Sequence, residues 1–274
     1  MPDHPKFLGL HARPGKKLNW LLAALPFLLV VAVYLSASDA RLEANPQDKL
    51  LPSVGQMKEA VVRMAFTEDR RSGEYLLWTD TVSSLKRLAI GVLSAAVAGL
   101  LLGLNIGLFR GFRGLANPFV TFVSMVPPLA ILPILFITFG VGELGKVVLI
   151  FIGIFPVITR DVALATEKLP REQITKALTL DASQLAVVYR IVLPQILPRL
   201  LEAVRLSLGA AWLFLIAAEA IASTDGLGYR IFLVRRYLAM DVIIPYVLWI
   251  TLLGFLLDWA IKSWLRWRYR WYQA

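Results

Sequence analysis

Read from its N-terminus, the chain alternates long apolar runs with shorter polar segments, and the runs have membrane-spanning length. Leu18 to Ser38 is the first. At about 1.5 Å per helical residue it reaches across roughly 30 Å of hydrocarbon. Further runs cover Thr81 to Phe109, Asn117 to Phe139, Lys146 to Ile158 (extended at both ends), Leu200 to Ala222 and Asp241 to Ile261. The pattern predicts an all-α polytopic membrane protein with about six transmembrane helices. Within the mixed segment 39–80, Val54, Met57, Val61, Met64 and Ala65 recur at helical spacing, which predicts an amphipathic interfacial helix over Val54 to Phe66. The expected organisation is a tail over 1–17, a first transmembrane helix over 18–38, an outer segment over 39–80, a core over 81–261 and a basic, aromatic tail over 262–274. The first run also has the basic start and the small residues Ser36-Ala37-Ser38 of a signal peptide. It exceeds the usual apolar region of about 7–15 residues, so an uncleaved span is expected.

Details inside the runs separate scaffold from candidate path. Gly91, Ala95, Gly99, Gly103 and Gly107 repeat every fourth residue, a ridge of small side chains that lets another helix approach closely. The third run is interrupted by Pro127-Pro128 and Pro133. Proline frees backbone carbonyls, and such breaks are tolerated in a membrane only against protein or a water-lined cavity. Ser124, Met125, Pro127 and Pro128 therefore become candidates for a pathway lining, with a structural kink as the alternative. Among intramembrane charges, Glu219 shares a helix face with Trp212 and with Leu215 or Ile216. It can line a path together with Trp212, or hold a neighbouring span through Arg205, Lys146 or a backbone amide. Arg205 and Asp258 lie near the same ends of their spans, where they can pair or snorkel.

The longest polar stretch is Thr159 to Pro198, TRDVALATEKLPREQITKALTLDASQLAVVYRIVLPQILP. It predicts a short helix over Ile174 to Leu180, a bend at Asp181 and a second helix over Ser183 to Leu193, ended by Pro194 and Pro198. A helix–bend–helix between spans suits docking into a groove on a soluble partner.

Composition agrees with the pattern. Of 274 residues 58% are hydrophobic, and the mean hydropathy is +0.66, beyond what a soluble domain of this size carries. The net charge of +10 would fit nucleic acid, but the cations sit in the segments between spans. With the N-terminus inside, inner segments hold 16 Lys and Arg against 9 in outer ones, as the positive-inside rule requires. The tail KSWLRWRYRWYQA reads as an interfacial anchor for the same reason. There are no cysteines, and the two histidines, His4 and His11, stand in the N-terminal tail with nothing to complete a metal site. Gly140-Val141-Gly142-Glu143-Leu144-Gly145-Lys146-Val147 imitates a phosphate-binding loop, but Val147 replaces the Ser or Thr that holds magnesium and no strand precedes it. It reads as a tight glycine turn. No nucleophile–base pair or paired carboxylates can be assembled, so covalent chemistry is not expected.

The spacing Ala177-x3-Asp181-x9-Ile191-x-Leu193-Pro194 resembles the cytoplasmic loop signature of permease subunits of ATP-binding-cassette importers, EAA-x3-G-x9-I-x-L-P. Thr175, Lys176 and Asp181 depart from it, and Asp still enters the left-handed region at modest cost. TRDVALAT, LPQILPRLLEAVRLSLGAAWLFLIAAEAIAS and TDGLGYRI extend the likeness to the nitrate/sulfonate/taurine branch, from about Ser84 onwards. ENPQDKLLPS, RSGEYLLWTDT and IFLVRRYLAMDVIIPYV are similar to permeases encoded beside urea-carboxylase-type enzymes, associated with guanidinium or urea-like solutes. The resemblance implies the type I importer permease fold in a bacterial inner membrane, with both termini cytoplasmic, and no enzyme activity in this chain. It implies a second permease subunit (a homodimer, or a heterodimer of similar subunits), two cytoplasmic ATPase subunits that bind ATP and magnesium, and an extracytoplasmic solute-binding protein, with no nucleic-acid partner. Thr175, Lys176, Ala177, Leu178, Asp181, Ala182 and Ser183 would form the ATPase-coupling contact. Two rival readings are an ion-driven secondary transporter, for which inverted pairs of broken helices would be needed, and a non-transporting scaffold subunit.

Overall fold

A computed structural model describes residues 15–46, 48–70 and 72–272. The expected tail over 1–17, with His4 and His11, lies outside the described residues up to residue 14. Eleven α-helices follow one another: α1 (Lys16–Ala44), α2 (Val54–Phe66), α3 (Leu76–Leu108), α4 (Arg110–Val123), α5 (Leu132–Phe139), α6 (Glu143–Glu167), α7 (Arg171–Thr179), α8 (Gln184–Val187), α9 (Leu193–Ile221), α10 (Leu227–Arg235) and α11 (Met240–Arg268). A π-helical turn over Val188–Val192 joins α8 to α9, and a 3-10 turn over Arg270–Tyr272 follows α11. Among the described residues there is no strand. Five stretches of the described residues are long and apolar enough to cross a membrane: α1, α3, α6, Gln184–Ile221 and α11.

The centre of the bundle is the pair α3–α6, and the glycine ridge sets their distance. Gly91 faces Ile150, Gly99 faces Ile158, Gly103 faces Val162 and Gly107 faces Thr166. A methyl group at any of the four would stand 2.4–2.8 Å from the facing side chain. Both members of these pairs increase along the chain together, so α3 and α6 run parallel. Segment 109–142 must therefore cross back between them. That is the sixth crossing, and it consists of α4 and α5 with a break over 124–131, where Pro127 and Pro128 lie; Pro133 sits in the first turn of α5. The other elements wrap this centre. Phe214 of α9 packs on Gly153, and Arg205 of α9 meets Asp258 of α11 at 3.6 Å, the pairing open in the sequence. Helix α2 has the expected bounds, is started by a Ser53–Gln56 capping box, and receives a hydrogen bond from Trp78 Nε1 at the Ala65 carbonyl, 3.1 Å.

Two expectations are corrected. The polar stretch does not leave the membrane helix at Thr159: α6 runs to Glu167, because its polar side chains are satisfied where they stand. Thr159 Oγ1 donates to the Phe155 carbonyl at 2.8 Å, and Asp161 pairs with Arg199 of α9 at 2.6 Å. Nor do Pro194 and Pro198 end the second loop helix. Pro194 occupies the first turn of α9, where a missing amide leaves little unpaired. The π turn before it bridges Leu193 N–H back to the Val188 carbonyl. Helix therefore continues from Gln184 to Ile221.

The close α3–α6 approach yields a direct test. Gly103→Val is expected to lower the protein's melting temperature in detergent through about 1–3 kcal/mol of overpacking, since the added atoms meet both Val162 and the Thr159 backbone carbonyl. Gly111→Ala, with nothing within 4 Å, is expected to leave the melt unchanged.

Candidate functional site

Two features stand out, at opposite ends of the bundle. At one end the chain leaves α6, forms α7 and turns into α8. The turn is a Schellman motif: Ala182 N–H donates to the Ala177 carbonyl and Asp181 N–H to the Leu178 carbonyl, both at 3.1 Å. Asp181 takes the left-handed position with φ 61°, where the importer signature has glycine. Ser183 then caps α8, its Oγ accepting from Ala186 N–H at 3.2 Å. Ile174, Ala177 and Ala182 pack half-buried against the bundle. On the outer side of the turn, Leu178, Leu180, Leu185 and Tyr189 are exposed, an apolar patch rimmed by Lys176, Thr175, Asp181 and Ser183, all at the surface. Isolated exposed apolar residues are ordinary; here four lie on one short hairpin. The sequence reading named Leu178 and missed Leu180, Leu185 and Tyr189. Their i, i+4 spacing from 185 to 189 was the available signal.

At the far end lies a buried ion cluster. Arg87 of α3, 2% exposed, donates to Glu219 of α9 at 2.7 Å and forms a two-pronged pair with Glu143 at the start of α6, 2.6 and 2.8 Å. It also pairs with Asp225 of the loop between α9 and α10. Glu219, fully buried, accepts further from Ser84 Oγ at 2.8 Å and from Gly228 N–H at 2.9 Å. Lys146 joins Glu143 to Ser223, 2.8 and 2.9 Å. Beside it, Asp80 accepts from Gly226 N–H, Arg230 and Tyr246 at 2.9, 2.8 and 3.1 Å. Burial raises the Asp225 carboxyl, but hydrogen bonds from Arg87 and Ser83 outweigh it and hold the group below the ordinary aspartate range. Gly226 has φ 114° and no room for a side chain, because a methyl there would stand 2.5 Å from Glu219. The sequence TDGLGYR is thus the backbone lid of an ion cluster.

The expected pathway residues separate. Ser124, Met125, Pro127 and Pro128 lie at the α4–α5 break, and Met125 is 73% exposed. Trp212 and Glu219 are inside the protomer: Trp212 packs beside Gly254 of α11, and Glu219 holds the cluster just described. Of the partners weighed for Glu219, a backbone amide is present, while Arg205 pairs with Asp258 and Lys146 with Glu143. Its guanidinium partner is Arg87, which was not among the partners weighed from the sequence.

An all-helical polytopic membrane protein with a pinned core, one broken crossing and an apolar helix–turn–helix handle has the construction of a transporter's membrane subunit. The chain belongs to the family of binding-protein-dependent transport system inner membrane components, whose pattern matches residues 95–267; it is a multi-pass permease subunit of an ATP-binding-cassette importer. The taurine transport system permease protein TauC of Escherichia coli is 34% identical over 187 residues, 68% of each chain. A permease protein of the same bacterium named for aliphatic sulfonates, SsuC, is 33% identical over 264 residues, 93% of this chain and 95% of its own. An inward-facing structure of the MetNI methionine transporter shares the fold, with TM-score 0.62 and 20% identity over 72% of this chain and 98% of that one. Members of this family work with an ATPase and a substrate-binding protein.

Removing one partner of the buried cluster has a large expected cost. Arg87→Leu, which strands the buried Glu219, is expected to destabilise the permease by about 3–5 kcal/mol, read as a fall in membrane yield and melting temperature. Lys86→Leu, one residue away on the exposed side of α3, is expected to be nearly silent.

Proposed function

We propose that two copies of this chain form the path of an importer for a small solute with an oxoanion head, driven by two cytoplasmic ATPase subunits that hold the ATP and magnesium. The observation that carries the coupling half is the Schellman turn with its exposed Leu178, Leu180, Leu185 and Tyr189. The sequence reading's Thr175, Lys176, Ala177, Leu178, Asp181, Ala182 and Ser183 form or support this handle. In this reading the α7–α8 end faces the cytoplasm, as do both termini, in line with the excess of cations on that side. Closure of the ATPases pushes α8, and the unbroken helix Gln184–Ile221 carries the displacement into the membrane. Each copy then needs two poses that the ATPase biases.

The solute half draws on TauC and SsuC, named for taurine and aliphatic sulfonates, and on the state of Glu219. A guanidinium-type cation needs a free carboxylate, and Glu219 already accepts from Arg87, Ser84 and Gly228 N–H. An anion suits the site better than guanidinium or urea. The exposed break with Ser124, Met125, Pro127 and Pro128 is the proposed lining, and Trp212 and Glu219 support it from behind.

Two measurements test this. Titrating the binding protein of the purified complex with taurine, an alkanesulfonate, nitrate, guanidinium and urea is expected to give binding and ATPase stimulation for an anion. A response to guanidinium alone would overturn the solute half. Asp181→Val forces a β-branched residue into the left-handed region at roughly 1–2 kcal/mol. It is expected to abolish uptake while ATP hydrolysis persists, whereas Asp181→Gly transports normally. Equal uptake by both variants would remove the turn from the coupling path.

A further inference from the structure

Among the described residues, Arg160 is a charge inside the membrane without an ion-pair partner. Ile158 sits on Gly99 and Val162 on Gly103, so Arg160 of α6 lies level with Leu101 of α3. That is seven residues, about 10 Å, short of the end of the α3 apolar run at Leu108. Arg87, Lys146, Arg199 and Arg205 each have a carboxylate within 4 Å. Lys86 and Lys262 stand at the ends of apolar runs, within reach of water. Arg160 has no carboxylate in reach among the described residues. It is exposed on the protomer, and its hydrogen bond is from Nη1 to Ser124 Oγ, 3.2 Å.

Nor does it snorkel. Arg113 of α4 pairs with Glu167 at the loop end of α6, and Ser124 lies eleven residues, about 16 Å along α4, past that level. The guanidinium therefore reaches deeper into the membrane rather than out of it. A cation held at that depth cannot face lipid without a large cost; it must face protein or water. Its surroundings mix polar and apolar groups. Arg113, Asn117, Thr121 and Ser124 form one stripe of α4, while Leu115, Phe119 and Phe122 are exposed on its other sides. A cavity of about 140 Å³ lies between α4 and α6, with Asn117, Thr121, Arg160 and the Arg113–Glu167 pair among its lining and Ile106, Ala163 and Leu164 making up the rest. Four of the five guanidinium N–H donors remain for a ligand, in the planar fork that matches an oxoanion.

We infer that Arg160, at the edge of the broken crossing, is the residue on which the anionic head of the solute rests during its passage. This rests on the importer reading above and names the charge that the path offers.

The chain has no cysteine, so Arg160→Cys gives a single thiol on the permease. In the complex with its ATPases and binding protein, a water-soluble cationic methanethiosulfonate is expected to label that thiol, and the transported anion to slow the labelling. Uptake by Arg160→Cys is expected to fall about tenfold or more, the loss of one charge-assisted hydrogen-bond pair. Aminoethyl modification, which returns a positive charge, is expected to restore uptake, and sulfonatoethyl modification is not. Arg160→Lys, which keeps charge without the fork, is expected to transport with a raised half-saturation concentration. A thiol that reacts without solute protection, or does not react because a phospholipid phosphate or the second copy covers it, would overturn the inference. So would anion uptake that is indifferent to the charge at position 160; the importer reading would then stand. A wild-type complex importing only guanidinium or urea would overturn both the anionic solute and the role of Arg160. One without ATP-dependent import of any solute would remove the importer reading and this inference with it.

Discussion

The bundle depends on a guanidinium that cannot be left alone. Arg87 is buried at the end of α3 remote from α7, and in that low-dielectric setting an unpaired charge costs far more than any single contact gains. Its partners come from three other places in the chain: Glu143 opens α6, Glu219 closes α9, and Asp225 lies in the loop beyond. None of those elements can move away without stranding a charge. Asp80 repeats the device beside it, joining the Gly226 amide, Arg230 of α10 and Tyr246 of α11. The far ends of α3, α6, α9 and α11 are thus tied to one another.

The glycine ridge extends that rigidity along one helix pair. With Gly91, Gly99, Gly103 and Gly107 against Ile150, Ile158, Val162 and Thr166, α3 and α6 interlock over some 16 residues of each. The returning segment has neither device. Helices α4 and α5 are separated by eight residues that include Pro127 and Pro128, and their links to α6 include the single ion pair Arg113–Glu167 and the Arg160–Ser124 hydrogen bond. Under the proposed coupling, a force arriving through α7 and α8 would pass into α9, whose helix is continuous across the π turn and both prolines, and would meet the least constrained packing at α4–α5.

The sequence made the one-dimensional features legible and the register between helices illegible. Hydropathy found the five long apolar helices among the described residues, and helical spacing gave α2 to the residue. The Asp181 bend was readable because few residues besides glycine enter the left-handed region. What could not be read depended on distance across the bundle. Arg87 and Glu219 are 132 residues apart, and nothing along the chain tells that their helix ends coincide. Thr159, Arg160 and Asp161 looked like the start of a loop because three polar residues in a row are costly in lipid. That cost is removed by Phe155 and Arg199 for two of them, contacts known only once α9 is in place. Pro194 and Pro198 looked like stops for a similar reason: proline's penalty belongs to a helix interior, and Pro194 turned out to stand at a helix start.

The same accounting of satisfied and unsatisfied groups separates Glu219, the charge that the sequence offers to a solute, from Arg160. Glu219 is the residue that composition draws the eye to, a carboxylate deep in an apolar helix, yet it accepts from three groups and touches no surface. A ligand could reach it only by displacing Arg87, at the cost of the whole far-end cluster. Arg160 is the inverse case, exposed at depth, with a hydroxyl for a neighbour and most of its donors unused. A charge that a membrane protein has neutralised is part of its framework. One left open at depth is stabilised only when something of opposite charge arrives, and a translocation path requires a binding site that is empty for part of each cycle.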